Sequence, residues 1–382
     1  MAVVAASLRS GGRRPRLLLL TPDFPPARGG IQALSHGLAT GIDGFDTRVV
    51  ALGGPGDRSF DASGELAVRR VRPAAQFGRG RVVALNAAAY VEALRFRPDA
   101  VLIAHIVAAP AATAIRRTLG TRTVQYLHAN EIGDKPRLAA FAAQRADVVI
   151  ALSSYTATLI RATGASVKDM RMIPPGVELP EDPAPLPAER PTIVTIARMN
   201  DSYKGHDVLM QALVKVRAQV PTVQWIVIGD GPLRADLEEL ARTLDVAESV
   251  RFLGSVSDAQ RDEWLRRADV FAMPSRLPGG TLAGEGFGIV YLEAAAYGKP
   301  VVAGNVAGAL DAVADGETGL LVDPTDPHAV AAAISTLLLD RDLAQRMGAR
   351  GAERAKGFTW PLIASRVEAV LLEQIELGAR LA

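Results

Sequence analysis

Ile173-Pro-Pro-Gly-Val-Glu-Leu-Pro-Glu-Asp-Pro-Ala-Pro-Leu-Pro187 is the stretch that decides the fold. It holds six prolines between positions 174 and 187. Proline removes a backbone donor and blocks helix and sheet interiors, so this segment reads as a linker. Outward from it, in both directions, short apolar runs alternate with helical patterns. On the N-terminal side, strands are predicted at 16–21, 47–52, 99–104, 122–127 and 147–151. The helical patterns between them lie near 30–40, 81–96, 108–119, 136–145 and 153–163. On the C-terminal side, strands are predicted at 191–197, 223–229, 249–253, 269–272, 300–303 and 319–322. Helices there are predicted at 205–218, 232–244, 257–267, 286–297 and 326–347. Continuous apolar strands flanked by helices mean parallel sheets covered on both faces. Two such blocks make two doubly wound α/β domains, whose ligands bind beyond the carboxyl ends of the strands. A last amphipathic helix, from Trp360 to about Leu377, has no strand to feed and is expected to pack back across the linker.

The expected domains are therefore 16–178 and 179–357, with 358–382 as the returning helix and 1–15 as a disordered leader. The leader is small, polar and basic, and Leu17–Leu20 after it is too short for a signal-peptide core. No apolar run is long enough to span a bilayer, so a cytoplasmic protein is expected. With 49% hydrophobic and 22% charged residues, the chain is an ordinary globular one. The absence of cysteine excludes disulfides, thiolate metal sites and a cysteine nucleophile. The five histidines are scattered, without the paired spacing that seats a transition metal. A net charge of +2 and an aromatic content of 5% argue against nucleic acid as a partner. The charge is unevenly spread, however. Residues 1–178 carry 23 Lys and Arg against 13 Asp and Glu, and the remainder carries 20 against 28. The first half is thus +10 and the second −8, and Arg79, Arg81, Arg95 and Arg97 bracket the helix predicted at 81–96. Peripheral contact with an anionic membrane surface, at the inner face of the cell membrane, is one expectation from this split.

The most informative chemical stretch is Gly279-Gly-Thr-Leu-Ala-Gly-Glu-Gly-Phe-Gly-Ile-Val-Tyr-Leu-Glu293, which follows a strand and opens a helix. Glycines let backbone N–H groups approach a ligand, and a helix N-terminus favours an anion such as phosphate. Glu285 precedes the helix and Glu293 lies eight residues on, expected two turns down the same face. An acid beside a phosphate cradle suits a clamp on sugar hydroxyls. A nicotinamide-dependent oxidoreductase would need G-x-G-x-x-G after the first strand, where Thr21-Pro-Asp-Phe-Pro-Pro-Ala-Arg-Gly29 stands instead.

Glu285 and Glu293 with Gly-Phe-Gly between them resemble the signature of the family-4 retaining glycosyltransferases of GT-B fold. Further landmarks fall in that family's order. They are Asp23-Phe-Pro-Pro-Ala-Arg-Gly29-Gly30, His128-Ala-Asn-Glu131, Pro175-Gly176-Val177, Arg198, Lys204-Gly205, Gly229-Asp-Gly-Pro232, Phe252-Leu-Gly254, Gly298-Lys-Pro300, Gly316-x-x-Gly319 and Phe358-Thr-Trp360. The resemblance spans about residues 16–375, and within the family these motifs are most similar to the bacterial phosphatidylinositol mannosyltransferases.

That resemblance implies two Rossmann-like, doubly wound parallel-sheet domains facing a central cleft, with the C-terminal helix crossing back. It implies a hexosyltransferase that moves a sugar from a nucleotide-sugar donor to an acceptor hydroxyl with retention, without a metal. Arg198 and Lys204 would stabilise the departing diphosphate, a guanidinium fork and a point charge suiting that role. Glu293 would hold the ribose hydroxyls. Glu285 would hold hydroxyls of the transferred sugar, beside the amides of Gly286, Phe287, Gly288 and Ile289. Gly29 and Gly30 would let the N-terminal backbone approach the diphosphate. His128 would meet the sugar's 6-hydroxyl or reacting face, and Val256 and Asp258 would meet the base. The preferred donor is GDP-mannose and the preferred acceptor a glycolipid or other glycan, lipid-linked or not. A UDP-sugar donor with a small-molecule acceptor is the alternative.

Overall fold

The computed structural model describes residues 13–72, 78–277 and 284–381. Most of the leader, and the segment Gly279–Ala283 of the glycine-rich stretch, lie outside the described residues. The chain divides into two compact units. One holds the residues up to Leu152, Thr156–Gly176 and the stretch from Trp360 onward; the other holds Ser153–Tyr155 and Val177–Thr359.

Among the described residues the first unit contains a seven-stranded sheet, ordered β3-β2-β1-β4-β5-β6-β7. Its strands are β1 (Arg16–Leu20), β2 (Asp46–Leu52), β3 (Ala67–Val71), β4 (Ala100–Ile103), β5 (Arg122–Leu127), β6 (Val148–Ala151) and β7 (Met170–Met172). All pairings are parallel. Leu17, Leu18, Leu19 and Leu20 of β1 are fully buried because the central strand is covered on both faces. Leu18 and Leu20 share one contiguous apolar core with Val50, Leu85, Val101, Ile103 and Ile115. The edge strands β3 and β7 escape the sequence reading because their residues are only partly buried and carry arginines, which breaks the apolar run. The short helices Asp57–Ser63 and Ala129–Asp134 also lie outside it.

The helix Trp360–Leu381 packs on this unit, against the helix Gly30–Gly41 and β5. Gly37 and Gly176 make room for it, since a Cβ at either would collide with the Trp360 ring. Farther along, the Glu368 carboxylate accepts from the Gly44 N–H at 3.1 Å, and Glu373 pairs with Arg171 at 3.1 Å.

The second unit contains a six-stranded sheet, ordered β10-β9-β8-β11-β12-β13. Here the strands are β8 (Thr192–Ile196), β9 (Gln224–Ile228), β10 (Val250–Gly254), β11 (Val270–Met273), β12 (Val301–Gly304) and β13 (Gly319–Val322). They too pair in parallel. Trp225 is fully buried in β9, and its indole N–H donates to the Thr195 hydroxyl at 2.9 Å. The predicted helix 326–347 is two helices, Pro327–Leu339 and Arg341–Ala355. Asp340 separates them because its carboxylate accepts from the Leu343 N–H at 2.9 Å and so caps the second.

Candidate active site

In a doubly wound sheet the ligand crevice opens where strand order reverses, because the two neighbouring loops there leave in opposite directions. In the second unit that point lies between β8 and β11. The loop after β8 carries Arg198 and Lys204, and the segment after β11 leads to Glu285. Of these the structure brings together two: Lys204 Nζ stands 2.5 Å from Glu285 Oε2, both side chains largely shielded from water.

The contact is built by neighbours. The Arg276 guanidinium clasps both Asp207 oxygens at 2.9 and 2.8 Å, and its backbone N–H donates to the Tyr203 carbonyl at 2.8 Å. Gly205 turns the chain between Lys204 and the helix His206–Gln219 at φ 78°. No other residue fits there, since a Cβ would strike the Pro274 carbonyl just beyond β11. Burial pulls the Lys204 ammonium down, but the Glu285 carboxylate and Tyr203 outweigh it and hold Lys204 above the ordinary lysine range. Lys204 is therefore a fixed positive charge at neutral pH. Arg198 is exposed and has no ion-pair partner among the described residues.

Gly286, Phe287 and Gly288 lead into the helix Ile289–Ala296, which starts three residues later than predicted. Gly288 stands at φ 89°, off the helical path, so Glu285 and Glu293 do not share a helix face. The expectation of one face is corrected accordingly. The Glu285 carbonyl accepts from the Gly308 N–H at 2.9 Å, and Phe287 is buried against Phe358. No side chain caps this helix and no acid sits in its first turn, so its leading amides favour an anion. Glu293 lies on the helix itself, 3.6 Å from the Arg261 guanidinium. Burial pushes its carboxyl above the usual carboxylate range; Arg261 opposes that, and Asp262 and Asp258 add to it. Asp258 opens the helix Asp258–Arg267 and is exposed, and Val256 just before it is half-buried. Arg261 was missed by the sequence reading, although its spacing of three from Asp258 puts both on one helix face.

Gly29, Gly30 and His128 belong to the first unit. Gly29 precedes the helix Gly30–Gly41 in extended backbone and gives it no side-chain cap. His128 directly follows β5, before the helix Ala129–Asp134, with its ring buried and stacked on Tyr126. Its Nε2 lies 3.0 Å from the Ala104 carbonyl, which can only accept, so Nε2 carries the proton and Nδ1 a lone pair. Burial lowers its pKa, with Glu131 and the Ala104 bond pulling the other way. Among the described residues no group of three or more His, Asp or Glu side chains is arranged to hold a metal.

Two parallel-sheet units, one with a lysine–carboxylate pair and an uncapped helix start at its switch point, define a doubly wound α/β protein with a candidate ligand crevice. Comparison with known proteins narrows this. Residues 180–354 match the sequence family described as glycosyl transferases group 1, and residues 30–181 the one described as glycosyltransferase family 4. A relative in Mycobacterium tuberculosis, named GDP-mannose-dependent alpha-(1-6)-phosphatidylinositol monomannoside mannosyltransferase, is 33% identical over 92% of this chain and 97% of its own. The protein of that name in Mycolicibacterium smegmatis is 34% identical over 88% and 92%. Among solved structures, Anabaena HepE in complex with UDP and glucose matches with a TM-score of 0.78 at 21% identity, over 94% of this chain and 99% of that one. Sucrose-phosphate synthase from Thermosynechococcus elongatus matches with a TM-score of 0.77 at 22% identity, over 96% and 100%. The chain belongs to the family-4 glycosyltransferases of GT-B fold, and it is a glycosyltransferase.

Proposed function

We propose that the enzyme transfers mannose from GDP-mannose to a hydroxyl of a lipid-linked acceptor of the phosphatidylinositol mannoside type, with retention and without a metal. The observation that carries the donor and acceptor is the 33% identity to a mannosyltransferase named for both, over nearly the full length of each chain. The Lys204–Glu285 pair at the β8/β11 switch point supports the chemistry. In this reading the bond from the anomeric carbon to the diphosphate breaks, and the acceptor oxygen bonds that carbon on the same face. The departing phosphate oxygen takes the acceptor's proton. Lys204 and Arg198 offset the charge that grows on the diphosphate, which is where fixed cations lower a barrier most. Glu285 accepts from hydroxyls of the transferred sugar, Glu293 from those of the ribose, and the amides of Gly286 to Ile289 line the same segment. Val256 and Asp258 meet the base. His128 meets the sugar's 6-hydroxyl or its reacting face, and Gly29 and Gly30 admit the diphosphate.

No described helix is long and apolar enough to cross a membrane. The helix Gly78–Phe96 exposes Val83, Val91 and Leu94 beside Arg79, Arg81 and Arg95. This supports a peripheral seat on anionic lipid, where the acceptor resides.

The test is nucleotide release and product formation with GDP-mannose, UDP-glucose and UDP-galactose, each with phosphatidylinositol monomannoside, with an alkyl mannoside and with neither. GDP-mannose with the lipid should be turned over best, the new linkage should be α, and chelator should leave the rate unchanged. The Glu285→Gln enzyme should lose about 10²–10³ in kcat, the usual cost of one transition-state contact. Turnover of a UDP-sugar in preference would overturn the donor, and full activity of Glu285→Gln would overturn the assigned site.

A further inference from the structure

The first unit has a switch point of its own, between β1 and β4, and titratable side chains gather there. Asp23 follows β1, His105 follows β4, and Glu131 lies on the helix Ala129–Asp134 after β5. The Glu131 carboxylate is buried and fully engaged. Its Oε1 accepts from the Ile106 N–H at 3.0 Å and stands 2.8 Å from His105 Nδ1, while Oε2 accepts from the His128 N–H at 3.2 Å. Burial alone would raise this carboxyl; the bond to His105 and the two nearby imidazoles outweigh it and hold Glu131 below the usual carboxylate range. An ionised carboxylate only accepts, so His105 Nδ1 carries the hydrogen and donates it. The Val107 N–H also lies 3.2 Å from that nitrogen, but a ring nitrogen that donates to Glu131 has no lone pair left for it.

This selects the tautomer of the neutral ring. In the neutral ring Nε2 is then the nitrogen with the lone pair, and it stands 3.9 Å from Asp23 Oδ2, beyond hydrogen-bond reach. Asp23 is steadied in turn by Gln32, whose Nε2 lies 3.4 Å from Oδ1. Two acceptors therefore stand side by side at the carboxyl ends of adjacent strands, with partial access to water at both. Such a pair is complementary to two O–H donors separated by roughly a hydrogen-bond length. That is the spacing of neighbouring hydroxyls on a hexose or cyclitol ring.

We propose that His105 and Asp23 bind a vicinal diol of the acceptor, one hydroxyl donating to Nε2 and the next to the carboxylate, with Glu131 as the positioning residue that sets the tautomer. This rests on the glycosyl-transfer reading above. The donor contacts assigned there use Lys204, Arg198, Glu285, Glu293, Val256 and Asp258 of the other unit and Gly29, Gly30 and His128 of this one; His105 and Asp23 are given none of them, which leaves this pair for the acceptor.

The test uses the full chain and two substitutions that separate binding from structure. His105→Asn keeps a donor where Nδ1 stood but removes Nε2; His105→Gln keeps a polar atom near Nε2 but loses the Glu131 bond. His105→Asn should raise the KM for phosphatidylinositol monomannoside tenfold or more and leave the KM for GDP-mannose within twofold. His105→Gln should raise the acceptor KM less. A second readout needs no turnover. Nitrogen-15 spectra should show His105 with hydrogen on Nδ1, and myo-inositol or methyl mannoside should shift the Nε2 signal. An unchanged acceptor KM in His105→Asn would overturn the proposal, as would a rise confined to the donor KM. If wild-type enzyme transfers to none of the acceptors, the transfer reading fails separately. The Nε2 signal then decides the diol site alone, and its insensitivity to both polyols would sink it.

Discussion

His206 shows how a single residue can constrain the pH range of the enzyme. It opens the helix after Gly205, is almost fully buried against Trp225, and its Nε2 has no hydrogen-bond partner among the described residues. Burial, with Lys204 adding to it and Asp207 opposing, lowers its pKa to about 4 from an ordinary 6.5. The folded protein therefore keeps His206 neutral while the unfolded chain protonates it as pH falls. Below pH 6.5 the unfolded state binds more protons, so stability is lost on acidification until the folded-state value is reached. The shift corresponds to about 3 kcal/mol over that window. Urea unfolding of wild type and His206→Leu at intervals from pH 7.5 to 4 should show wild type losing that much more than the variant. Parallel curves for the two proteins would contradict it. At this scale the motifs were legible but their partners were not. Glu285 could be singled out from its glycine-rich context and Lys204 from the family resemblance, whereas their ion pair depends on two loops brought together by the strand order. His105 and Glu131 went unread for the same reason, since nothing local to either names the other.

Elements were legible wherever burial was complete. Runs such as Leu17–Leu20 and Val148–Ala151 are apolar at every position because helices cover both faces of the sheet. The edge strands β3 and β7, partly buried and interrupted by arginine, and helices of one or two turns lack that signal. The terminal helix is intermediate. Its amphipathic pattern could be read, but its seat depends on small residues far away in sequence. Gly37 sits on the helix Gly30–Gly41, and a Cβ there would meet the Trp360 ring. Gly37→Val should therefore destabilise the first unit by about 1–3 kcal/mol, the usual cost of overpacking. Because the strain falls on one ring, combining it with Trp360→Leu should cost less than the sum of the single changes. Denaturant melts followed by hydrogen exchange in β1 and β5 would measure both. Strict additivity of the two changes would show that Gly37 and Trp360 do not share this contact.

Across the whole molecule, the net charge of +2 conceals a first half of +10 and a second half of −8. Total charge governs solubility, but attraction to a charged surface is local, because salt screens it within about 10 Å at 0.1 M. The proposed membrane contact rests on the exposed face of the helix Gly78–Phe96. Val83 there is 68% exposed, with Arg79, Arg81 and Arg95 also exposed on the same helix. Apolar side chains flanked by arginine can enter the boundary between headgroups and acyl chains while the cations meet lipid phosphate. Each such cation contributes about 1 kcal/mol near an acidic surface. Arg79→Gln with Arg81→Gln should thus weaken binding to phosphatidylserine vesicles by about 2 kcal/mol, roughly thirtyfold. Binding of the wild type should fall as salt rises from 0.05 to about 0.5 M, because the screening length shortens. Val83→Asp should weaken it at every salt concentration, because the apolar contribution is not screened. Vesicle sedimentation with phosphatidylserine and with phosphatidylcholine alone separates the two contributions. Equal binding to both vesicles, or no change in the double-glutamine variant, would exclude this helix as the charged contact.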